Sequence, residues 1–83
     1  MSARVAIHMR PGCHLCDEAE QAVRTALGPD VPVALVDIEQ DDELHRRDLE
    51  RIPVILVDGV EIATLIDYRR PDFGDTLRIC MTR

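Results

Sequence analysis

A chain of 83 residues with 46% apolar and 31% charged side chains has the composition of a folded domain with one core, neither poor enough in hydrophobes for disorder nor apolar enough to span a bilayer. Its formal charge of −6, from 16 acidic side chains against 10 basic ones that are all arginine, disfavours nucleic-acid backbones and anionic membranes as partners, and a single Tyr and a single Phe offer no platform for stacking bases. No run approaches the roughly 18 apolar residues of a transmembrane helix, residues 1–10 lack the features of a secretion signal, and three cysteines are an odd count for a disulfide-stapled scaffold. One domain over residues 1–83, monomeric and cytoplasmic, with thiols that are catalytic or simply buried, is the expectation.

Residues 4–9 predict a first strand, with Val5, Ile7 and Met9 on one face and Ala6 and His8 on the other. Pro11-Gly12 breaks it. From Cys13 onward Leu15, Ala19, Ala22, Val23, Ala26 and Leu27 recur at helical spacing opposite Asp17, Glu18, Glu20, Gln21 and Arg24, and Gly28-Pro29 ends the helix. Residues 31–38 are nearly continuous in apolar, mostly β-branched side chains, the pattern of an inner strand covered on both faces. Asp41 and Asp42 can cap a second, exposed helix running to about Arg51, with Leu44 and Leu49 as its only strong apolar positions. Residues 53–57 and 60–66 around Asp58-Gly59 predict a β-hairpin. After Pro71-Asp72, Phe73, Leu77, Cys80 and Met81 fall at i, i+4, i+7 and i+8 and predict a closing helix, weakened by Gly74. The order is β-α-β-α-β-β-α.

The chemistry concentrates in Arg10-Pro11-Gly12-Cys13-His14-Leu15-Cys16, a C-x-x-C where a strand gives way to a helix, which is the sequence mark of a thioredoxin-like redox motif. A thiol attacks a disulfide as thiolate, and the first turn of a helix favours negative charge through its free N–H groups and dipole. Cys13 is therefore the expected nucleophile. Cys16, on the same helical face, is placed to attack a mixed disulfide at Cys13 and release the partner reduced. Arg10 and a protonated His14 add positive charge that stabilises the thiolate, although His14 can equally project into solvent. His8 and His45 read as structural or surface residues, and Cys80 as an inert buried thiol on the apolar face of the last helix.

Residues 11–19, Pro-Gly-Cys-His-Leu-Cys-Asp-Glu-Ala, resemble the corresponding segment of small bacterial glutaredoxin-like proteins of the thioredoxin superfamily, and the element order, Ile52-Pro53 and the Asp-Gly hairpin extend the likeness over roughly residues 4–66. The resemblance implies an α/β thioredoxin/glutaredoxin-like fold with a four-stranded mixed sheet, acting as a dithiol thiol–disulfide oxidoreductase on protein or low-molecular-weight disulfides. It implies a cis-proline at Pro53 facing the dithiol, with Ile52 offering its backbone to an extended partner; Arg51 joins them as a candidate substrate-binding residue. No tightly bound cofactor is implied. Glutathione, another small thiol or a reductase can supply the electrons. Two features of glutathione-using glutaredoxins are missing: an aromatic residue between the cysteines, where His14-Leu15 stand, and a Gly-Gly pair after the fourth strand, where residues 63–67 read Ala-Thr-Leu-Ile-Asp. Arg46, Arg47 or Arg51 can hold a carboxylate of a small thiol, or else form a solvated helix face paired with Asp42, Glu43 and Glu50.

Two other function classes compete. The same thiols with His14 can bind a metal or take part in iron–sulfur delivery, although no second C-x-x-C or H-x₃₋₅-H supplies the four ligands of a structural zinc site. The fold can also act as a redox-inactive docking module.

Overall fold

The computed structural model describes residues 3–82. Nine elements follow one another: β1 (Val5–Met9), α1 (His14–Leu27), β2 (Val33–Asp37), a 3₁₀ turn (Ile38–Gln40), α2 (Asp42–Asp48), β3 (Val54–Val57), β4 (Val60–Thr64), a second 3₁₀ turn (Asp67–Arg69) and α3 (Phe73–Met81). The four strands form one mixed sheet in the order β2-β1-β3-β4. β1 runs parallel to β2 and antiparallel to β3, and β3 and β4 form the hairpin, with an irregularity in register between Ile55 and Leu56.

The alternation of β1 sorts its side chains between two layers. Val5 and Ile7 are fully buried and pack with Ile55 and Val57 of β3, Ala19 and Val23 of α1, and Phe73 and Leu77 of α3. A second, smaller cluster joins Cys16, Ile38, Ile52 and Val54, with Met9, Cys13, Leu44 and Leu56 against it. The dithiol therefore sits on the second cluster, and the segment leading into β3 shares it.

β2 is an edge strand rather than the inner strand that its apolar run predicts. Its five residues are half-buried or exposed, and Leu35 is 44% exposed. An apolar run reports that helices partly cover a strand, not that strands flank it on both sides. Pro32 keeps the strand from starting earlier, since it has no N–H for a ladder, and Ile38 leaves it to enter the 3₁₀ turn and a buried position.

Two boundaries are tighter than the sequence implies. α2 stops at Asp48, three residues short of Arg51, and the chain turns through 49–51 with the N–H groups of Arg51 and Ile52 donating to the Asp48 carbonyl at 2.8 and 3.0 Å. β4 stops at Thr64, two residues short of Ile66, because the Asp67 carboxylate accepts the Thr64 N–H at 3.0 Å and Leu65 turns away with φ 53°. Cys80 is half-buried rather than enclosed. The Asp58-Gly59 turn forms as expected, both residues at positive φ (52° and 82°), which suits the right-handed twist of the hairpin. Arg4 clamps it, donating to both Asp58 oxygens at 2.9 and 2.8 Å, and this bond holds the Asp58 carboxyl below its usual value.

Asp41 caps α2, its Oδ1 accepting the N–H groups of Glu43 and Leu44 at 2.9 and 3.1 Å. A seven-residue helix whose one leucine, Leu44, is only partly buried depends on such a cap. Asp41→Ala is expected to lower the unfolding free energy by about 1 kcal/mol, read from the urea midpoint at constant slope.

Candidate functional site

The turn before α1 is built from backbone. Gly12 takes φ 79°, a left-handed conformation that glycine adopts at no steric cost, and the Cys13 N–H donates to the Arg10 carbonyl at 3.2 Å. Cys13 then becomes the N-cap of α1 in extended conformation, and its Sγ accepts the backbone N–H of Cys16 at 3.1 Å. A sulfur in this position receives a hydrogen bond and faces the positive end of the helix, and both favour the thiolate once the bond to its neighbour is opened. Cys13 and Cys16 are joined as a disulfide with their Cα atoms 5.2 Å apart. They differ in access: Cys13 is half-buried, whereas Cys16 is 3% exposed and part of the second cluster.

Ile52 packs in that same cluster beside Cys16, and the Ile52–Pro53 peptide bond is cis. Ile52 and Pro53 are thus brought to the dithiol by tertiary structure from 36 or more residues away in sequence. The Leu65 N–H donates to the carbonyls of both Arg51 and Pro53 at 3.0 Å, so the turn after β4 lies against this segment.

The charged candidates are engaged with carboxylates. Arg10 Nη2 lies 3.3 Å from Glu39 across the start of the 3₁₀ turn, while its carbonyl closes the turn below Cys13. His14, the first residue of α1, is largely in solvent, with Nε2 3.7 Å from Glu18, which Arg69 also engages at 3.0 Å. Arg51 donates to Asp48 at 3.1 Å and pairs with Glu61.

Asp48 is the residue that sequence reasoning missed. It is fully buried, and its carboxylate accepts from Arg47 and Arg51 at 3.1 Å each and lies 2.8 Å from His8 Nδ1. Burial alone would raise its pKa, but the bonds from Arg47 and His8 outweigh burial and hold it below the ordinary carboxylate value. His8, 8% exposed, is the buried partner on β1. One residue at the end of α2 thus ties strand, helix and the Arg51–Ile52 segment together, by its carboxylate and by its carbonyl.

Among the described residues no group of three or more His, Cys, Asp or Glu converges as a metal site, and His14 turns to Glu18 beside the two bonded sulfurs. No helix of the described chain is long and apolar enough to cross a membrane. A concavity of about 520 Å³ opens between α1 and α3 beside Ala22, Ala26 and Phe73 and is lined by neither Cys13 nor Cys16. Disulfide exchange in general needs no enclosed pocket, because the attacking thiolate only has to meet the partner's sulfur in line.

A mixed sheet in this order, helices on both faces and a C-x-x-C at the first turn of α1 define a thioredoxin-fold protein of the glutaredoxin kind. The chain belongs to the Glutaredoxin-like domain family (DUF836), whose model matches residues 4–79. A structural-genomics target protein from X. campestris, XcR50, is similar at 28% identity and a TM-score of 0.72, over 90% of this chain and 96% of that one. Reduced apo GrxS14 of poplar shares the fold at 18% identity and a TM-score of 0.71, over 98% of this chain and 84% of that one. No curated protein matches the sequence.

Proposed function

We propose that this chain is a dithiol thiol–disulfide oxidoreductase of protein or low-molecular-weight disulfides, working in a reducing compartment such as the cytoplasm. The observation that carries the reading is the inequality of the two sulfurs: Cys13 caps the helix at a half-open position and accepts an N–H bond, while Cys16 is enclosed behind it. In the reduced protein the Cys13 thiolate attacks one sulfur of the partner disulfide; that S–S bond breaks, and the departing thiolate takes up a proton. Cys16 then loses its proton and attacks Cys13 Sγ, which expels the second partner thiol. Two electrons and two protons pass to the partner, and the chain is left as the Cys13–Cys16 disulfide. A thiol reductant, glutathione or another, or a reductase returns the two electrons.

The Ile52 carbonyl beside Pro53, its N–H being held by the Asp48 carbonyl, is the proposed docking edge for the partner's extended chain, since both residues share the cluster of the buried sulfur or adjoin it. The N-cap and the helix dipole supply the thiolate preference, and Arg10 and His14 contribute less because Glu39 and Glu18 sit against them.

A redox titration tests the reading. Metal-free protein equilibrated across a series of thiol–disulfide buffers, then alkylated and weighed, is expected to show one two-electron transition between roughly −280 and −120 mV, the range of exchangers of this fold. A pair reducible only below about −300 mV would mark a structural disulfide and overturn the proposal.

A further inference from the structure

The surroundings of the proposed docking edge discriminate among disulfides. Leu49, Leu65 and Ile66 are large apolar side chains left 39%, 44% and 55% exposed on the two chain segments that meet at residues 51–53. Leu49 lies two residues before Arg51 at the end of α2, and Leu65 is bonded through its N–H to the Arg51 and Pro53 carbonyls, with Ile66 next in the chain. Leu65 also holds φ 53°, a region unfavourable for a leucine and natural for glycine. The chain thus keeps a bulky apolar side chain at a position where its backbone conformation favours having none. Burying three such side chains under a partner is a favourable use of that position.

The charges point the same way. Arg47 and Arg51 are held by Asp48, and Arg51 also by Glu61; Arg10 is held by Glu39, and His14 and Arg69 by Glu18. An anionic small thiol would have to displace one of these intramolecular carboxylates to gain a cation. Arg46, on the exposed side of α2, is the exception among the described residues of this region, with no carboxylate in salt-bridge range.

Resting on the redox reading above, we propose that the partner of this site is an extended protein segment with apolar side chains beside its half-cystine, taken in preference to the small anionic tripeptide glutathione. The apolar flank covers Leu49, Leu65 and Ile66 while the ion pairs stay closed, and the covalent steps are those already written, with the protein disulfide as the species reduced.

The test is the rate at which the reduced protein exchanges with three disulfides: a symmetric peptide disulfide with Leu and Val beside the half-cystine, the same peptide with Asp in those places, and oxidised glutathione. The wild type is expected to react with the apolar peptide at least about tenfold faster than with the other two. Leu65→Asn, whose new side chain tolerates positive φ, and Ile66→Ser are each expected to reduce that preference by about tenfold, and Leu35→Asn on the far edge strand to leave it as it is. Equal rates in the wild type, a preference untouched in both Leu65→Asn and Ile66→Ser, or a fast glutathione reaction lost in Arg46→Ala would each overturn the proposal and leave the redox reading standing. Absence of exchange with all three disulfides would overturn both.

Discussion

Cys13→Ser is expected to lower disulfide exchange by at least about a thousandfold, whereas Cys16→Ser keeps the first attack and halts at a covalent mixed disulfide. The asymmetry follows from access and not from sequence order alone. Cys13 sits at the helix cap with its sulfur half-open, and Cys16 is 3% exposed beneath it, so an incoming S–S bond meets Cys13 first. Removing Cys13 leaves the site with only its enclosed sulfur and no attack there. Removing Cys16 leaves a nucleophile without the neighbour that would release it. A Cys80→Ser background removes the half-buried third thiol, so that an adduct seen by mass in the Cys16→Ser protein sits on Cys13. Accumulation of the adduct in Cys13→Ser instead would reverse the roles, and accumulation in neither would remove the two-step mechanism.

The parts of the fold that local pattern controls were legible in the sequence. The first helix carries its apolar stripe from Leu15 to Leu27 and its own stop at Gly28, and the hairpin carries its turn at Asp58-Gly59; neither needs the rest of the chain to declare itself. The edge position of β2 was not legible, because the residues of a strand report what covers its faces and not what lies beside it. The early end of β4 rests on the Asp67 carboxylate at the Thr64 N–H and on bonds from Leu65 to Arg51 and Pro53, and a reading along the chain does not see the latter. The His8–Asp48 pair spans 40 residues and had only a faint signal. Asp48 falls four residues after Leu44, on the one face of that helix that carries an apolar anchor, and an acid on a buried face calls for a partner. His8, the only polar side chain between Val5 and Met9, was the complementary half of that signal.

Asp48→Ala is expected to cost about 3 kcal/mol of unfolding free energy, the largest stability effect of any single change outside the apolar core. The carboxylate is wholly buried and serves three donors at once, from His8, Arg47 and Arg51. The two arginines are partly exposed and can turn to water when it is gone, but the His8 ring is enclosed and loses its partner outright. Asp48→Asn keeps the shape and an acceptor oxygen and is expected to cost less. The effect carries a pH signature whose sign is fixed by the depressed pKa of Asp48. A carboxylate whose folded-state pKa lies below its unfolded value near 3.9 stabilises fully above that value and loses the contribution as pH falls through the folded one. Urea unfolding at pH 7, 4 and 3 should therefore separate wild type from Asp48→Asn most widely at pH 7 and bring them together in acid. The same variant bears on the site, because the residue that holds His8 with its carboxylate also receives the N–H groups of Arg51 and Ile52 with its carbonyl. Loosening the end of α2 frees the segment on which a partner would dock, so exchange with a peptide disulfide should weaken through KM before kcat changes. A loss confined to kcat would place Asp48 in the chemistry of the sulfurs instead of beneath the docking edge.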